Sequence, residues 1–429
     1  MMQKFNITEF GARENTLCTK AIQAAIDEAH RHGGEVIVPE GVFLTGTVRL
    51  RSHVTFHMLR GAVLKGSSDL ADYRMDFSDT HDPIRYEDGE DEECLWGNFL
   101  HPWYNGILRA FRAHDVRIIG EEGSVIDGGN LYDPEGEEHY RGPHAICMTY
   151  CKNLEFGGYT VKDSGNWAHT VHKCDNIFAH DLTVLGGHDG FHVRLCKNVL
   201  VEDCDFYTGD DCIAGYANEN MVVRRCMMDC ACSAMRLGGT DILIDSCKTH
   251  APSKYGFRGS LSPEEKAASA PTTERCRHTQ HTPFLYFCDF PAKVQKPQGN
   301  IVIQNCEFEQ PNSFFRLRFG QRWCRNRSLV DITFRNCKCT GVSLPIDLYC
   351  DENEPCTLRL IDCQISAREG MEDAIFMNAD HFKQIYFDTV TVTGYHEPTV
   401  FTKTEGEIIF KNSTPIKVVK TDTLIDRYV

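Results

Sequence analysis

The chain of 429 residues carries 45 Lys and Arg against 61 Asp and Glu, a formal net charge of -16 at pH 7. This excess of negative charge argues against nucleic acid and anionic membranes as partners. No stretch approaches the run of about 18 apolar residues that a membrane-spanning helix needs. The first residues also lack the apolar segment of a signal peptide, so we expect a cytoplasmic protein.

The beginning of the chain contains a predicted helix from Thr19 to His32, which ends before two glycines. Two long insertions interrupt the rest of the chain, at residues 74–105 and 255–299. Their length predicts loops that flank a functional cleft, because long insertions in a regular scaffold commonly carry function.

The cysteines reveal a repeat in the central part of the chain. Cys151, Cys174 and Cys196 each open a Cys-Lys-Asn or Cys-Asp-Asn triplet, at spacings of 23 and 22 residues. A second series has spacings of 22 and 21 residues and consists of Cys204, Cys226 and Cys247. A period of this size indicates a solenoid.

Each repeat contains short β-rich runs bounded by Asn, Asp or Gly, as in the segments 198–204, 220–226, 241–247 and 300–306. A repeat of about 22 residues leaves no room for an ordinary helix beside two or three strands, which disfavours helical and leucine-rich solenoids. We therefore predict an all-β fold, a right-handed parallel β-helix, with residues 1–429 as one domain. Residues one period apart then become spatial neighbours, on the order of 4.8 Å apart along the axis.

Three aspartates stand at this spacing. Asp189 precedes Asp210 by 21 residues, and Asp211 follows directly. Stacking on adjacent coils is expected to bring the three carboxylates to one outer face. Adjacent residues of a regular strand point to opposite faces, so Gly209 is expected to introduce a bend that lets both Asp210 and Asp211 reach that face.

The motifs around these aspartates resemble those of glycoside hydrolase family 28, the polygalacturonases and their relatives. The sequence Gly-Asp-Asp-Cys at 209–212 matches one family motif intact, and Gly-His-Asp-Gly at 187–190 is similar to the family's Asn-Thr-Asp-Gly. Residues 1–73, with the helix Thr19–His32, also resemble the family's N-terminal cap and first coils. The resemblance implies hydrolysis of a glycosidic bond with inversion. It assigns Asp210 as the general acid, and Asp189 and Asp211 as the groups that position and activate water.

Two family positions differ in this chain. Cys232-Ser233-Ala234 stands where the family has Gly-His-Gly, and Arg258-Gly259-Ser260 stands where it has Arg-Ile-Lys. The usual histidine and lysine, which in the family help to hold a galacturonate carboxylate, are therefore absent. This departure predicts negligible cleavage of polygalacturonate itself.

Four further residues are candidates for substrate binding. Arg258 and Arg236 lie about two coils and one coil beyond Asp211, His188 precedes Asp189, and Trp103 could stack on a sugar face. Each has a structural alternative: a surface ion pair for Arg258, a structural salt bridge for Arg236, a satisfied turn histidine for His188 and loop packing for Trp103.

The 21 cysteines recur at coil positions where a small buried side chain fits, so reduced core thiols explain them better than disulfides or zinc. No metal and no cofactor are expected.

Three functions of different classes remain open. The first is a glycoside hydrolase that acts on small imported oligosaccharides. The second is a calcium-dependent polysaccharide lyase, with the aspartates holding calcium and an arginine abstracting the proton. The third is a carbohydrate-binding β-helix without activity. The expected partner is an oligosaccharide in every case, and the sequence does not fix the oligomeric state.

Overall fold

The computed structural model describes residues 3–73, 102–268, 276–288, 296–321 and 323–424. These residues form two compact units. The first comprises Met1–Gly209 with Tyr255–Cys276, and the second comprises Asp210–Lys254 with Arg277–Val429. Most of the predicted insertion at 74–105 lies outside the described residues, and the expectation of one domain over 1–429 stays a prediction.

The first unit is built from eighteen strands that pair in parallel along three columns. Its strands are β1 Gln3–Asn6, β2 Gly34–Val38, β3 Gly41–Thr45, β4 Val48–Arg49, β5 Val54–Met58, β6 Ala62–Gly66, β7 Gly106–Phe111, β8 His114–Gly120, β9 Val125–Asp127, β10 His144–Thr149, β11 Lys152–Gly157, β12 Thr160–Lys162, β13 His169–His172, β14 Asp175–His180, β15 Thr183–Gly186, β16 Phe191–Arg194, β17 Lys197–Glu202 and β18 Asp205–Thr208. Each strand pairs with the strand one coil away, so the backbone hydrogen bonds of the coils run along the solenoid axis.

The second unit repeats this three-column parallel pattern. Its strands are β19 Ile213–Arg224, β20 Met227–Cys230, β21 Ser233–Asp245, β22 Lys248–His250, β23 Thr282–Tyr286, β24 Gly299–Gln304, β25 Glu307–Glu309, β26 Phe315–Arg318, β27 Asp331–Arg335, β28 Lys338–Val342, β29 Ile346–Tyr349, β30 Thr357–Ile361, β31 Gln364–Ala367, β32 Met377–Asp380, β33 Gln384–Asp388, β34 Thr391–Thr393, β35 Thr399–Thr402, β36 Glu407–Lys411 and β37 Lys417–Lys420. The predicted parallel β-helix is confirmed.

The Cys-Lys-Asn triplets mark the turns between columns. Asn153, Asn176 and Asn198 all adopt the left-handed conformation, with φ of 55°, 57° and 55°. Asn tolerates this conformation better than most residues because its short polar side chain can bond locally. The Asn of each triplet therefore supplies the bend that begins the next strand.

The same asparagines form a ladder on the surface of the first unit. Asn153 donates through Nδ2 to Asp115 Oδ1 at 2.8 Å, Asn176 donates to Asn153 at 2.9 Å, and Asn198 donates to Asn176 at 3.1 Å. Each side-chain amide is both donor and acceptor, so one residue type satisfies its neighbours on successive coils. The ladder ties four coils together.

The cysteines of the triplets face the interior. The backbone N–H of Cys151 donates to Cys174 Sγ at 3.2 Å, and that of Cys174 donates to Cys196 Sγ at 3.5 Å. All twenty described cysteines are buried thiols. A small thiol that stacks on its copy one coil away thus fills the corner of the core, as the repeat predicted.

The N-terminal helix, α1, spans Thr19–His32 as predicted. It buries Ile22, Ala25, Ile26 and Ala29, whose spacing of three, four and seven residues places them on one face. The helix ends at Gly33, which has a φ of 65°. The helix packs against the first strands and covers that end of the first unit.

The second predicted insertion, 255–299, is not a single loop. Its first part contains the short helix α2 at Pro263–Ala267, whereas Thr282–Tyr286 is a regular strand that pairs with β21 and β26. The break in cysteine spacing concealed this strand from the sequence pattern. Among the described residues, none of the helices combines the length and apolar character needed to cross a membrane.

Candidate active site

The turn that carries Asp189 is held by the preceding coil. The N–H of Ala168 donates to the Asp189 carbonyl at 2.9 Å, and that of His169 donates to the Gly190 carbonyl at 3.1 Å. His169 Nδ1 also contacts the Gly190 carbonyl at 3.1 Å, and its Nε2 lies 3.0 Å from the Tyr159 hydroxyl. Since a carbonyl only accepts, Nδ1 carries the proton and Nε2 accepts from the hydroxyl.

The Asp189 carboxylate is only 1% exposed and has a fixed partner. His192 Nδ1 donates to its Oδ2 at 2.8 Å. The His192 ring in turn stacks on Trp167, with centroids 3.7 Å apart and planes 10° apart. Asp189 is thus oriented by an imidazole that aromatic packing holds in place.

His188 and Arg258 lie next to each other within the first unit. His188 Nδ1 is 3.0 Å from Arg141 Nη1, and its Nε2 is 3.2 Å from Arg258 Nη1. Arg258 also donates to Asn130 Oδ1 at 2.9 Å and to the Lys266 carbonyl at 3.3 Å. Burial, and then the two arginine charges, hold the pKa of His188 well below its usual range, so its imidazole is neutral.

Both residues are buried, and the contacts described above involve both ring nitrogens of His188 and both terminal nitrogens of Arg258, while Arg258 Nε has no hydrogen-bond partner among the described residues. The contacts of His188 agree with its alternative, a satisfied turn histidine, whereas Arg258 is fully buried and is therefore not the surface ion pair that was its alternative. Their role as substrate-binding residues stays a prediction.

Two glycines of the motifs are required by close packing. A Cβ on Gly187 would lie 2.4 Å from Arg258 Cγ, and a Cβ on Gly209 would lie 2.1 Å from the Gly256 carbonyl oxygen. The segment that begins at Tyr255 therefore lies directly against both motif glycines. Gly209 was predicted to supply a bend, and the structure adds that the absence of a side chain makes room for this neighbouring segment.

Trp103 packs within the first unit. Its ring makes edge contacts with Tyr104 and Trp167, at centroid distances of 4.8 and 5.0 Å. Its Nε1 donates to Glu137 Oε2 at 2.7 Å. These contacts match the packing alternative, and stacking on a sugar stays a prediction.

In the second unit, Asp210 and Asp211 have different environments. Asp210 is partly exposed, whereas Asp211 is buried. The Ser233 N–H donates to Asp211 Oδ1 at 2.8 Å, and Arg236 Nε donates to Oδ2. The Arg236 guanidinium also lies over the rings of Phe287 and Trp323, 4.4 and 4.7 Å from their centroids.

Arg236 therefore pairs with a candidate catalytic acid, which is the salt bridge that the sequence left open. Burial raises the pKa of Asp211, while Arg236 lowers it and the charge of Asp210 raises it again. The arginine thus offsets part of the desolvation and favours the ionised form. One carboxyl that is accessible stands beside one that is fixed and buried.

One residue near this pair escaped the sequence interpretation. The N–H of His281 donates to the carbonyl of Cys232 at 2.8 Å, so His281 lies one coil beyond the position where the family has its histidine. Burial lowers the pKa of His281 to about 4, with further lowering by Arg277 and Arg316, and Asp210 acts in the opposite direction. The signal was hidden because residues 255–299 were assigned to an insertion.

Asp189 belongs to the first unit, and Asp210 and Asp211 belong to the second. The convergence of the three carboxylates stays a prediction. What the two units establish separately is that each candidate acid sits in a defined environment, with Asp189 bonded to His192 and Asp211 bonded to Arg236.

The fold and these side chains define a parallel β-helix protein that carries the carboxylate motifs of a glycoside hydrolase. Residues 98–233 match the family model of the glycosyl hydrolases family 28. The resemblance that the motifs predicted is therefore confirmed, and the matched region contains all three aspartates.

The chain is also similar to individual proteins. The chain is 29% identical over 236 residues to a probable polygalacturonase of Vitis vinifera, a match that covers 49% of this chain and 45% of that protein. Among solved structures, an exopolygalacturonase of Thermotoga maritima superposes with a TM-score of 0.64 at 18% identity, covering 91% of this chain and 92% of that one. A family 28 exopolygalacturonase of Yersinia enterocolitica gives 0.66 at 16% identity, covering 95% and 79%.

The structural likenesses lie at low sequence identity and concern the fold. The chain spans about half the length, or less, of the curated relatives that it matches. The activity, substrates and partners of the whole protein are therefore proposals.

Proposed function

We propose that this protein is a glycoside hydrolase that cleaves a glycosidic bond in small oligosaccharides by inversion. The observation that carries the proposal is the contrast between Asp210 and Asp211 within a family 28 motif. Asp210 is partly exposed, and Asp211 is buried and accepts hydrogen bonds from Arg236 and the Ser233 N–H, both of which favour its ionised form. An inverting hydrolase needs these two states, one acid that can donate a proton and one base that stays ionised.

In the proposed reaction, Asp210 protonates the leaving oxygen. Asp211 and Asp189 accept hydrogen bonds from the attacking water, and one of them takes its proton. Inversion requires carboxyl groups about 6.5 to 9.5 Å apart across the bond to leave room for water. His192 and Arg236 keep the two carboxylates oriented before the substrate arrives, which lowers the reorganisation needed during the reaction.

The stereochemistry of the first product tests the mechanism. Proton NMR during the first turnovers should show the anomeric configuration opposite to that of the substrate. Net retention would exclude the three-aspartate mechanism, because retention requires attack by a carboxylate on the sugar.

We further propose that the substrate is short and cleaved from a chain end, and that the polymer polygalacturonate is a poor substrate. The names of the two structural relatives, which are exopolygalacturonases, support cleavage from a chain end. The absent family histidine and lysine support weak action on polygalacturonate. The net charge of -16 also opposes the approach of a polyanion. A product screen with uronide and neutral oligosaccharides beside the polymer decides this point, and robust release of galacturonate from the polymer would contradict it.

The lyase alternative needs an arginine that can take a proton from the substrate. Arg236 is occupied by Asp211, and Arg258 is fully buried and bonded to Asn130. These engagements disfavour both arginines as bases. Loss of activity with a chelator, together with a new ultraviolet-absorbing double bond in the product, would instead support the lyase.

We also propose a cytoplasmic location and a reduced state for the thiols. The support is that the twenty cysteines of the described residues are buried thiols. Fractionation of the native host, with mass spectrometry of alkylated cysteines, tests this.

A further inference from the structure

Arg194 is the last residue of β16 and lies two residues beyond His192. Side chains alternate along a strand, so Arg194 and His192 point to the same side, while Phe191 and Val193 point to the other. The Phe191 ring packs against Phe156 and His169 in the interior. Arg194 therefore lies on the outer side of the strand that follows the Asp189 turn, and it is only 1% exposed.

Aromatic and imidazole rings surround the Arg194 guanidinium. Its central carbon lies 5.3 Å from the centroid of Trp103 and 5.5 Å from that of Trp167. His144 makes a ring contact with Trp103 at 4.7 Å, and His172 occupies the register position next to Arg194 on the preceding strand. We refer to these five residues, Arg194, Trp103, Trp167, His144 and His172, as the Arg194 cluster.

The imidazoles of the cluster do not balance the arginine charge. Burial, and then the charge of Arg194, lower the pKa of His144 to about 3. The same two causes hold the pKa of His172 well below its usual range. Both imidazoles are therefore neutral, and the cluster combines one permanent positive charge with four uncharged rings.

The guanidinium also lacks hydrogen bonds. Within the described part of the chain, Nε, Nη1 and Nη2 of Arg194 have no hydrogen-bond partner. Contacts with aromatic faces stabilise a cation, but they leave the N–H groups of a buried guanidinium unsatisfied. A buried charge without a hydrogen-bond acceptor is strongly unfavourable, so this guanidinium is suited to bind an acceptor from a ligand.

The second unit shows how this chain satisfies another buried arginine. Arg316 is 2% exposed, and its Nε and Nη2 donate to Asp347 Oδ2 at 3.0 and 2.8 Å. Arg318 donates to the same oxygen at 2.8 Å. A carboxylate on the next strand thus balances Arg316. Arg194 occupies a comparable outer position, where the neighbouring strand offers His172 in place of an acid.

We propose that Arg194 binds the carboxylate of a uronic acid unit in the substrate. This inference rests on the proposed function and specifies its substrate class as short acidic oligosaccharides. The planar guanidinium matches a carboxylate through two parallel hydrogen bonds, and indole rings pack against the C–H face of a sugar. Trp167 contacts both Arg194 and His192, the partner of Asp189, so the site adjoins one of the candidate catalytic acids.

Arg194 offers a replacement for the family lysine that this chain lacks. A positive charge on the Asp189 side of the site replaces the lost lysine as the receptor for a carboxylate. Trp103, in the short 3-10 helix Pro102–Tyr104, lies over the guanidinium, so its ring must move when the ligand binds. Tryptophan fluorescence therefore reports binding without any need for turnover.

The test measures binding to the full chain carrying Asp210→Asn, so that no substrate is consumed. The probes are galacturonic acid, galactose as the matched neutral sugar, and acetate as a carboxylate without a sugar. We expect galacturonic acid to change the tryptophan fluorescence and galactose to leave it unchanged. Acetate should bind at least about tenfold more weakly than galacturonic acid, because it lacks the ring that the indoles contact.

Arg194→Met should weaken galacturonic acid binding at least about tenfold. Arg194→Lys should weaken it less, because lysine keeps the positive charge but cannot form the two parallel hydrogen bonds of a guanidinium. The control is Arg117→Gln, which removes one positive charge from an exposed pair with Glu155 in the same unit. It should bind like the parent. Equal binding by the parent and Arg194→Met, or equal binding of galactose and galacturonic acid, would overturn the proposal.

Thermal unfolding provides a second readout. Without a ligand, Arg194→Met should melt at the same temperature as the parent or higher, because it removes a buried charge that has no hydrogen-bond partner among the described residues. If Arg194 serves only as a structural clamp between two indoles, the variant should melt lower and the parent should bind no sugar acid. If the wild-type chain, with Asp210 intact, hydrolyses only neutral oligosaccharides, this inference falls and the proposed function stands. If galacturonic acid binds but no glycoside is cleaved, the assignment of Arg194 as a carboxylate receptor stands and the proposed hydrolase activity falls.

Discussion

At the scale of single residues, Asp210 and Asp211 show how neighbours in sequence acquire different chemistry. Asp210 keeps contact with solvent, whereas Asp211 is buried against Arg236 and the Ser233 N–H. Under the proposed mechanism, the environment, not the residue type, separates the proton donor from the fixed carboxylate.

Replacement of Asp210 tests its role as the acid. Asp210→Asn should lower turnover by at least about a hundredfold, the usual scale for loss of acid catalysis, while the fold stays intact. Substrates with good leaving groups should lose less, since they need little protonation. Asp205→Asn is a matched control, because it makes the same change on the exposed face of β18. Equal turnover of Asp210→Asn and the control would remove Asp210 from the mechanism.

Arg236 is expected to act through Asp211. Removal of its charge by Arg236→Met leaves the buried carboxyl without its ion pair, so the pKa of Asp211 should rise further. The reaction needs Asp211 ionised. The acidic limb of the kcat/KM profile should therefore move to higher pH, by about one unit or more. Lys296→Met, which removes a cation from an exposed pair with Glu219, should leave the profile in place. An unshifted profile in Arg236→Met would mean that Asp211 is not the base.

At the scale of elements, the Asn ladder links the sequence repeat to the stability of the coils. Asn176 has a φ of 57°, donates to Asn153 and accepts from Asn198. The left-handed conformation and the two hydrogen bonds make separate contributions to the free energy of unfolding, and two substitutions of Asn176 can distinguish them.

Asn176→Ala should lower the free energy of unfolding by about 2 kcal/mol, because it loses exposed hydrogen bonds and the short polar side chain that makes the left-handed conformation tolerable. Asn176→Gly should lose about half as much, since glycine adopts this φ without strain. Asn15→Ala is a control for strain alone, since Asn15 has a φ of 55° and lies outside the ladder. Urea denaturation measures all three, and equal losses for Ala and Gly at position 176 would contradict this division.

The elements also show how far the sequence alone could lead. The helix Thr19–His32 and the turn triplets were predictable because each depends on local signals, an amphipathic spacing and an Asn in the left-handed conformation. The position of His281 was not, since it depends on the register that the chain resumes after the interruption at 255. The pairing of Arg236 with Asp211 was open for a similar reason. Spacing brings two residues to neighbouring coils but does not tell which partner a long side chain selects.

At the scale of the molecule, buried neutral histidines should make the protein sensitive to mild acid. Burial lowers the pKa of His144 to about 3 and that of His169 to about 4, and it holds those of His172 and His188 well below their usual range. An unfolded histidine takes up a proton near pH 6.5, whereas these four stay neutral in the folded state. The unfolded state therefore binds more protons as the pH falls from about 6.5 towards 4, and stability declines over that window.

Each such histidine contributes a slope of up to about 1.4 kcal/mol per pH unit within the window. Urea midpoints at pH 7 and pH 5 should show the decline. His144→Phe should reduce the dependence of stability on pH by the contribution of one histidine, because Phe fills a similar space without taking up a proton. His396→Gln should leave the decline at least as steep, because the pKa of His396 is raised by Asp373 and its effect has the opposite sign. A midpoint that is constant between pH 7 and pH 5 would contradict the expectation.

The first unit is discontinuous, and this bears on how the protein is made. Arg258 bonds to Asn130 and His188, which precede it by 128 and 70 residues. At a synthesis rate of roughly 5 to 20 residues per second, His188 leaves the ribosome on the order of ten seconds before Arg258 does. During that interval the nascent coils can pair, but the space beside Gly187 and Gly209 stays open until the segment from Tyr255 arrives. Completion of this unit is therefore a late event in translation, and a ribosome that stalls between residues 209 and 255 would expose these coils without the segment that packs against them.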